Sequence, residues 1–597
     1  MESNLFDEIK TSNNKGFFKR LFSKSNSNSR GLNFPNGFSN KDSFKEGTPC
    51  VEEVNPSVKT DPFKKAQKTH QIHFIICIFF LFTAFLLFTG RAFNLQILKA
   101  QEFKSLSQKN KLRTYTVPAP RGVIYDQNRE IIAQNRPTFN LVLDISRCSL
   151  DQDLSLCRRL VKEVFKTLHR DGLHREGEDQ SFENSTGKSA FSNESSQEIL
   201  NQLEKTPYST IVLAKNLSKE EILSVESQKF PAIDILTYPA RDYLYPYSFS
   251  HLIGYTGLSG ESLTPKIEGK SGVEAYYNEE LSGVAGERII QVNSRNENIQ
   301  EFDTKNPLAG DNIVLYADIG LQNLAYEELE RAVEDPEGTA DGGVVVAQDP
   351  QTGGILALAS YPSFNAQKMV SKISSQELSR LQNQANSPFF NRAISAVYPP
   401  GSTFKMVMAS AVLEEGIVSP YFTINDPGYI SVRGYTFRNW KLDGHGEVDL
   451  LRAIQVSNDT YFYTVGGGYG GVEGLGIDRI EEWSKKFGFG EKTGIDLNGE
   501  VSGFVPNGEY KDWYLGDTYI TSIGQGDFLA TPLQTNMVTS YFANGRELLK
   551  PQIVKEAGGK AYEKKVLARD LVSQRTLGFV REGLRQAVSP GGTGYPV

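Results

Sequence analysis

Hydrophobic residues are spread unevenly along this chain, and the unevenness divides it. From Ile72 to Gly90 the sequence reads IHFIICIFFLFTAFLLFTG, without a single Asp, Glu, Lys or Arg. As a helix this run spans roughly 28 Å, about the hydrocarbon thickness of a bilayer. It is too long and too far from the N-terminus for the apolar part of a cleavable signal, and Arg91-Ala92-Phe93 follows it where a small-residue cleavage site would stand. A permanent anchor over 71–92 is expected. Lys59, Lys64, Lys65 and Lys68 precede the run closely, whereas only Arg91 and Lys99 follow nearby. That asymmetry puts the N-terminus in the cytoplasm and everything after Arg91 outside. Residues 1–70 are rich in Asn, Ser, Lys, Gly and Phe with no sustained period, the composition of a disordered tail. Residues from about 171 to 200 are rich in Ser, Asn and Glu and read as an exposed loop. The sequon Asn184-Ser185-Thr186 within them is short enough to arise by chance and carries no weight.

From about residue 306 the apolar elements lengthen. Gly343–Pro350 and Gly354–Ser360 read as two strands around a Gln351-Thr352-Gly353 turn, a hairpin suited to the centre of a sheet. Then comes Tyr398-Pro399-Pro400-Gly401-Ser402-Thr403-Phe404-Lys405, followed by the apolar run Met406–Leu413 and closed at Glu414-Glu415-Gly416. Two prolines and a glycine fix a turn, the apolar run reads as a buried helix packed against the hairpin, and Gly416 is its stop. Ser402 thus stands at a helix start with Lys405 one turn further on the same face, where an amine can take a hydroxyl proton. The spacing alone is cheap: Ser12 with Lys15 and Ser185 with Lys188 repeat it inside polar stretches that bury nothing. A capping serine beside a surface lysine is the plainer reading, and other segments of the chain must decide between the two.

Composition narrows the field only modestly. At 597 residues, 39% apolar and 23% charged, the chain has room for several globular domains and a large core. The net charge of −7 is mild, and no basic, aromatic-interleaved stretch points to nucleic acid as a partner. Cys50, Cys77, Cys148 and Cys157 show neither a CxxC pair nor zinc-ligand spacing. Cys148 and Cys157 lie on the same side of the anchor, where they either pair in an oxidising compartment or stand as two small apolar residues. Asp443 and His445 are close enough in sequence to share a zinc ion, but no cysteine lies beyond Cys157 and no third ligand converges, so a structural turn is the better reading. No cofactor is implied.

Longer strings are far more specific. The segment Val117–Asn135, VPAPRGVIYDQNREIIAQN, resembles the P-x-R-G-x-I-x-D-R-N-G-x-x-L-A-x-N signature at the membrane-proximal start of class B penicillin-binding proteins, with Gln127 in place of Arg and Arg129 in place of Gly. Arg241-Asp242-Tyr243, Gly254-Tyr255-Thr256-Gly257 and Gly269-Lys270-Ser271-Gly272-Val273-Glu274, with Tyr277, Leu281 and Gly283, are similar to later landmarks of that family's non-catalytic pedestal. Asp349-Pro350, Thr352-Gly353, Tyr361–Asn365 and Asn391-Arg392-Ala393 follow in the order of its transpeptidase domain. Gly476-Ile477-Asp478 and Phe487-Gly488-Phe489-Gly490 resemble the elongation branch, penicillin-binding protein 2. The resemblance implies a multidomain α+β chain. A cytoplasmic tail at 1–70 and one transmembrane helix at 71–92 lead into an elongated β-rich pedestal, or dimerisation domain, at 93–305. A transpeptidase domain at 306–597 follows, of the serine β-lactamase-like α/β kind with a central antiparallel sheet.

The same resemblance assigns the chemistry. Ser402 and Lys405 fall on the S-x-x-K motif, and Ser457-Asn458-Asp459 on the S-x-N or S-x-D motif some fifty residues later, although alone the triplet would read as a turn or cap. Ser402 is then the nucleophile, Lys405 its base, Ser457 a proton relay and Asp459 a holder of the lysine and of a substrate amide. Asn458, the variable middle position, is assigned to substrate binding. Lys492-Thr493-Gly494 mimics the third motif, K-[ST]-G, but sits inside a stretch matching the loop F-G-x-G-x-x-T-G-I-D-L that precedes the catalytic strand. Ser522-Ile523-Gly524-Gln525-Gly526 and Ala530-Thr531-Pro532-Leu533-Gln534 follow in family order. Gly591-Gly592-Thr593-Gly594 resembles the segment just ahead of the true motif, so the sequence is expected to break off before it, with K-[ST]-G encoded beyond Val597. The implied activity is a D,D-transpeptidase that cross-links peptidoglycan stem peptides ending in D-Ala-D-Ala and is trapped by β-lactams. A membrane glycosyltransferase of the shape, elongation, division and sporulation (SEDS) class is the implied partner. A β-lactam sensor or scaffold, and a Ser/Lys β-lactamase, are the rivals, and both leave the long pedestal unexplained.

Overall fold

The computed structural model describes residues 62–100, 112–148, 154–170, 210–214, 217–259, 266–292 and 298–596, apart from 336, 371, 372, 374 and 385. The expected tail over 1–70 lies almost wholly outside these residues. So do the 171–200 insertion with its sequon, and the pairs Ser12/Lys15 and Ser185/Lys188. The chain divides into two compact units, 1–97 and 98–597. In the first, the helix Pro62–Phe93 continues into a π-helical turn, Asn94–Leu98. Ile78–Leu98 is long and apolar enough to cross a membrane, the one such helix among the described residues. Its large apolar side chains, Phe79, Phe80 and Leu81 among them, stand exposed.

The second unit begins with a three-stranded antiparallel sheet, Leu112–Val117, Gly286–Val292 and Asn298–Lys305. Beside it in sequence is a seven-stranded sheet built around the long strand Ile131–Asp144, which pairs antiparallel with Ile233–Tyr243 and with Thr210–Ala214. The helix Ser155–Arg170 covers one end of it, where Val161, Val164 and Phe165 bury against Leu141, Leu143 and Ile211. Cys148 and Cys157 form a disulfide inside this cluster, which settles the alternatives left open by their spacing.

Strands from both sides of residues 305 and 306 join in this sheet. Ile313–Leu315 runs parallel to Ile124–Tyr125 and antiparallel to Val554–Ala557, so strands from the start and the far end of the unit share one ladder. Strands of two to four residues with no period of their own leave no trace of such pairing in the sequence. Buried charge braces one side of the join and also crosses it. Glu274 is fully buried and accepts from Arg121 Nε at 2.5 Å and Arg241 Nε at 2.6 Å. Tyr277 donates to Asp496 Oδ2 at 2.8 Å, and Asp496 Oδ1 accepts from Ile553 N at 2.7 Å. In the Asp126 turn, Arg129 stands at φ 65°, the left-handed region that the glycine of the resembled signature enters freely. Its guanidinium reaches Glu556 at 2.7 Å.

The hairpin Gly343–Gln348 and Ile355–Tyr361 forms as the alternation predicts. It is flanked by the helices Ile319–Val333 and Pro532–Asn544. The helix Lys405–Glu414 departs from expectation, because it packs chiefly among other helices and not on the hairpin. Its neighbours are Leu450–Gln455, Asp459–Gly467, Ile477–Lys486 and Gln574–Ala587. Every residue from Lys405 to Val412 is buried. A helix apolar on all sides needs cover all round, and a sheet supplies only one face.

Candidate active site

A 3-10 turn, Gly401–Phe404, leads directly into the helix Lys405–Glu414. Gly401 makes the entry: its φ is +59° and its N–H donates to Gly524 O at 2.7 Å. Phe404, fully buried edge-to-face against Phe528 and Phe489, anchors the turn from below. Ser402 is left exposed while Lys405, at the head of the helix, is buried. The nucleophile candidate faces solvent and its base candidate does not.

The second motif lies between two helices. Leu450–Gln455 ends, Ser457 turns the chain at φ +50°, and Asn458 caps the helix Asp459–Gly467. A serine in left-handed backbone is strained, of the order of 1 kcal/mol or more, and such outliers gather at functional sites. This turn brings the two motifs together. Ser457 Oγ lies 2.8 Å from Ser402 Oγ. Lys405 Nζ donates to Ser457 Oγ at 3.0 Å, to Ser457 O at 2.8 Å and to Asp459 Oδ1 at 2.6 Å. All three ammonium protons are thereby used, and the hydrogen-bonded path from the amine to Ser402 runs through Ser457. One helical turn had suggested that Lys405 reaches Ser402 itself. The pull of Asp459 and of the Ser457 carbonyl explains why it does not. Burial pushes the Lys405 amine below its ordinary pKa, with the Asp459 carboxylate acting against that shift.

Asn458 corrects the sequence reading. It is fully buried, its Oδ1 accepts from Tyr461 N at 2.7 Å and Thr460 Oγ1 at 2.8 Å, and its Nδ2 donates to Asp426 Oδ2 at 2.6 Å. A side chain spent on a helix cap and an internal carboxylate has nothing left for substrate. Asp426 was not singled out from sequence, and neither were Asn439 and Trp440. Asn439 Nδ2 donates to Asp426 Oδ2 at 2.7 Å, and Trp440 N donates to Asp459 Oδ2 at 3.0 Å. Burial alone would raise the Asp426 pKa, but donors including Gly428 N, His445 and Asn458 outweigh it and hold the carboxyl below its usual range. His445 belongs to this cluster, whereas Asp443 sits exposed in the adjoining turn. Among the described residues no group of three His, Cys, Asp or Glu side chains converges as metal ligands would.

Lys492-Thr493-Gly494 lies in an irregular loop. Glu500 takes up its Thr493 N–H at 2.7 Å, its Thr493 hydroxyl at 2.5 Å and its Gly494 N–H at 3.0 Å. It forms no strand.

Family models and individual proteins agree with this picture. The model described as Penicillin-binding Protein dimerisation domain matches residues 116–315, and that described as Penicillin binding protein transpeptidase domain matches 343–597. The peptidoglycan D,D-transpeptidase MrdA of Acinetobacter baumannii is 34% identical over 519 residues, covering 83% of this chain and 71% of that protein. Its namesake in Escherichia coli K12 is 31% identical over 502 residues, covering 79% and 73%. Among solved structures, penicillin-binding protein PBP2 of Helicobacter pylori in complex with MreC superposes with a TM-score of 0.65 at 28% identity, over 81% of this chain and 85% of that one. A chain of a peptidoglycan synthase complex, described as coordinating polymerization and crosslinking, gives 0.62 at 29% identity over 89% and 87%.

Proposed function

The chain belongs to the MrdA family of peptidoglycan D,D-transpeptidases, the penicillin-binding protein 2 group, and we propose that its cross-linking reaction runs through Ser402. The enzyme is a membrane-anchored, serine-type transpeptidase of cell-wall elongation. The observation that carries the residue roles is the unbroken path Ser402 Oγ–Ser457 Oγ–Lys405 Nζ–Asp459 Oδ1. With Lys405 neutral, its lone pair draws the Ser457 proton and Ser457 draws that of Ser402, whose Oγ attacks the penultimate D-Ala carbonyl of a stem peptide. Lys405, now charged and held by Asp459, returns the proton through Ser457 to the departing D-Ala amine. An amine of a second stem then takes the acyl group, with the same groups acting in reverse. The Ser402 N–H, in the first turn and so without an intrahelical acceptor, supports one donor for the oxyanion. β-Lactams acylate the same oxygen and remain there. A path this complete disfavours a purely binding role.

The chain crosses the membrane once, N-terminus inside and Ser402 outside. The lysines ahead of Ile72 support this, as does the Cys148–Cys157 disulfide, since such bonds persist in oxidising compartments. The MreC and synthase complexes among its structural neighbours support two kinds of partner, an MreC-type protein and a SEDS-type glycosyltransferase. The anchored protein given nascent uncross-linked peptidoglycan should release D-Ala and form cross-linked stems, and Ser402→Ala should do neither. D-Ala release without cross-links would make it a carboxypeptidase and overturn the reading.

A further inference from the structure

We infer that Asp426 is a positioning residue for this reaction: through Asn439 and Asn458 its carboxylate sets where Asp459 and Ser457 stand, and so where Lys405 is held. The inference rests on the roles proposed above for Ser402 and Lys405. Asp426 closes the short strand Ile424–Asp426, opposite Gly446. It is buried, and its hydrogen bonds go to neither Ser402 nor Lys405. A single oxygen, Oδ2, accepts from Asn458 Nδ2 at 2.6 Å, Asn439 Nδ2 at 2.7 Å and His445 N at 2.9 Å, with His445 Nδ1 at 3.1 Å. The other oxygen accepts from Gly428 N at 2.8 Å.

Two branches leave this carboxylate and meet again on the catalytic motif. Along the first, Asn439 Oδ1 accepts from Asp459 N at 3.2 Å, and the next residue, Trp440, donates its backbone N–H to Asp459 Oδ2 at 3.0 Å. The Trp440 indole is fixed in turn by Val456 O at 3.0 Å. The Asp459 carboxylate is thus aimed from one side by Trp440 and presents Oδ1 to Lys405 on the other. Along the second branch, Asn458 caps the helix that begins at Asp459. Ser457, at φ +50°, is pinched between the branches, and a strained turn of this kind persists only where its surroundings over-determine it.

A carboxylate only accepts, whereas an amide accepts on one side and donates on the other. Asp426→Asn therefore keeps the volume of the side chain. In either amide orientation it sets an N–H against a donor that now points at oxygen: Gly428 N, or Asn439, Asn458 and His445 together. Misplacement of a catalytic group by about 1 Å costs on the order of 10²-fold in rate. The time course of fluorescent-penicillin acylation, read per labelled molecule on the anchored protein with its melting temperature, tests this. Asp426→Asn should label to full stoichiometry but roughly 10- to 100-fold more slowly. If it acts through Asp459, adding it to Asp459→Asn should slow that variant by less than about threefold, because two changes in one unit do not multiply.

Glu500→Gln is the matched control, since Glu500 is also a buried, hydrogen-bond-accepting carboxylate, taking three bonds in the Thr493 loop. It should lower the melting temperature without slowing acylation. Losses that multiply in the Asp426/Asp459 double variant, or equal slowing by Glu500→Gln, would reduce Asp426 to ordinary core stability and overturn the inference. Retained labelling in Ser402→Ala would remove the assignment of the nucleophile and this inference with it. Lost labelling there, with Asp426→Asn at the wild-type rate, would remove the inference alone.

Discussion

Ser457→Ala separates the relay from the fold. Ser457 Oγ stands between Ser402 Oγ at 2.8 Å and Lys405 Nζ at 3.0 Å, while the lysine keeps Ser457 O at 2.8 Å and Asp459 at 2.6 Å whatever residue 457 carries. Removing the hydroxyl therefore leaves the buried ion pair intact and strips two hydrogen bonds at a partly buried position, one to Ser402 and one from the lysine, worth about 1–3 kcal/mol of stability. The rate should suffer far more. Positioned proton transfer contributes roughly 10²- to 10⁴-fold, or about 3–5 kcal/mol of barrier at about 1.36 kcal/mol per decade. Fluorescent-penicillin time courses on the anchored protein, with thermal melts of the same samples, read both quantities. The expected outcome is acylation slowed at least 100-fold by a variant that melts within a few degrees of the parent. A variant that acylates at the parental rate would show that Lys405 acts on Ser402 without Ser457, and the relay would be refuted.

Lys405→Ala should abolish acylation and also destabilise the fold, by roughly 3–5 kcal/mol, because it leaves the buried Asp459 carboxylate unpaired; a melt unchanged from the parent would contradict the ion pair. Acylation should rise with pH as Lys405 loses its proton and then level off, with the limb below the ordinary lysine range because burial lowers the amine's pKa. Asp459→Asn removes the charge that opposes this shift, so the limb should move to still lower pH; a limb that stays put or moves up contradicts the assignment of the base. Cys148 and Cys157 should resist alkylation in intact cells until a reductant is added, and Cys148→Ser should cost about 2.5 kcal/mol on the chain-entropy account for so short a loop. Free thiols at both positions would argue against the topology as well as the bond.

The placement of Ser402 and Lys405 was legible because it is local, while their chemistry was assigned only through the resemblance. A proline-glycine turn, a serine and an apolar helix are neighbours in sequence, and Ser402 with Lys405 stands where that order implies. The hairpin at 343–361 was legible for the same reason, its strands and turn being contiguous. What escaped depends on distant segments. The lysine's true partners are set by Asp459 and the Ser457 carbonyl, which a helical-wheel argument about Ser402 and Lys405 cannot include. The helix Lys405–Glu414 is apolar on every side, so its pattern gives no direction and the choice between sheet and helices is open until the other helices are placed. Asn458 reads as a substrate contact from its place between Ser457 and Asp459 in the second motif, yet the chain turns its side chain inward, onto Asp426. Asp426, Asn439 and Trp440 lie in short strands and turns with no periodicity, and only folding brings them beneath the second motif. The shared ladder of residues 124–125, 313–315 and 554–557 is of the same kind.

Mass spectrometry of the penicilloyl adduct tests the central claim most directly. The protein in its native membrane, labelled with a penicillin and digested, should carry one adduct, on the peptide containing Ser402 and on that oxygen, and Ser402→Ala should carry none. An adduct on any other residue, or one that survives Ser402→Ala, would contradict the account.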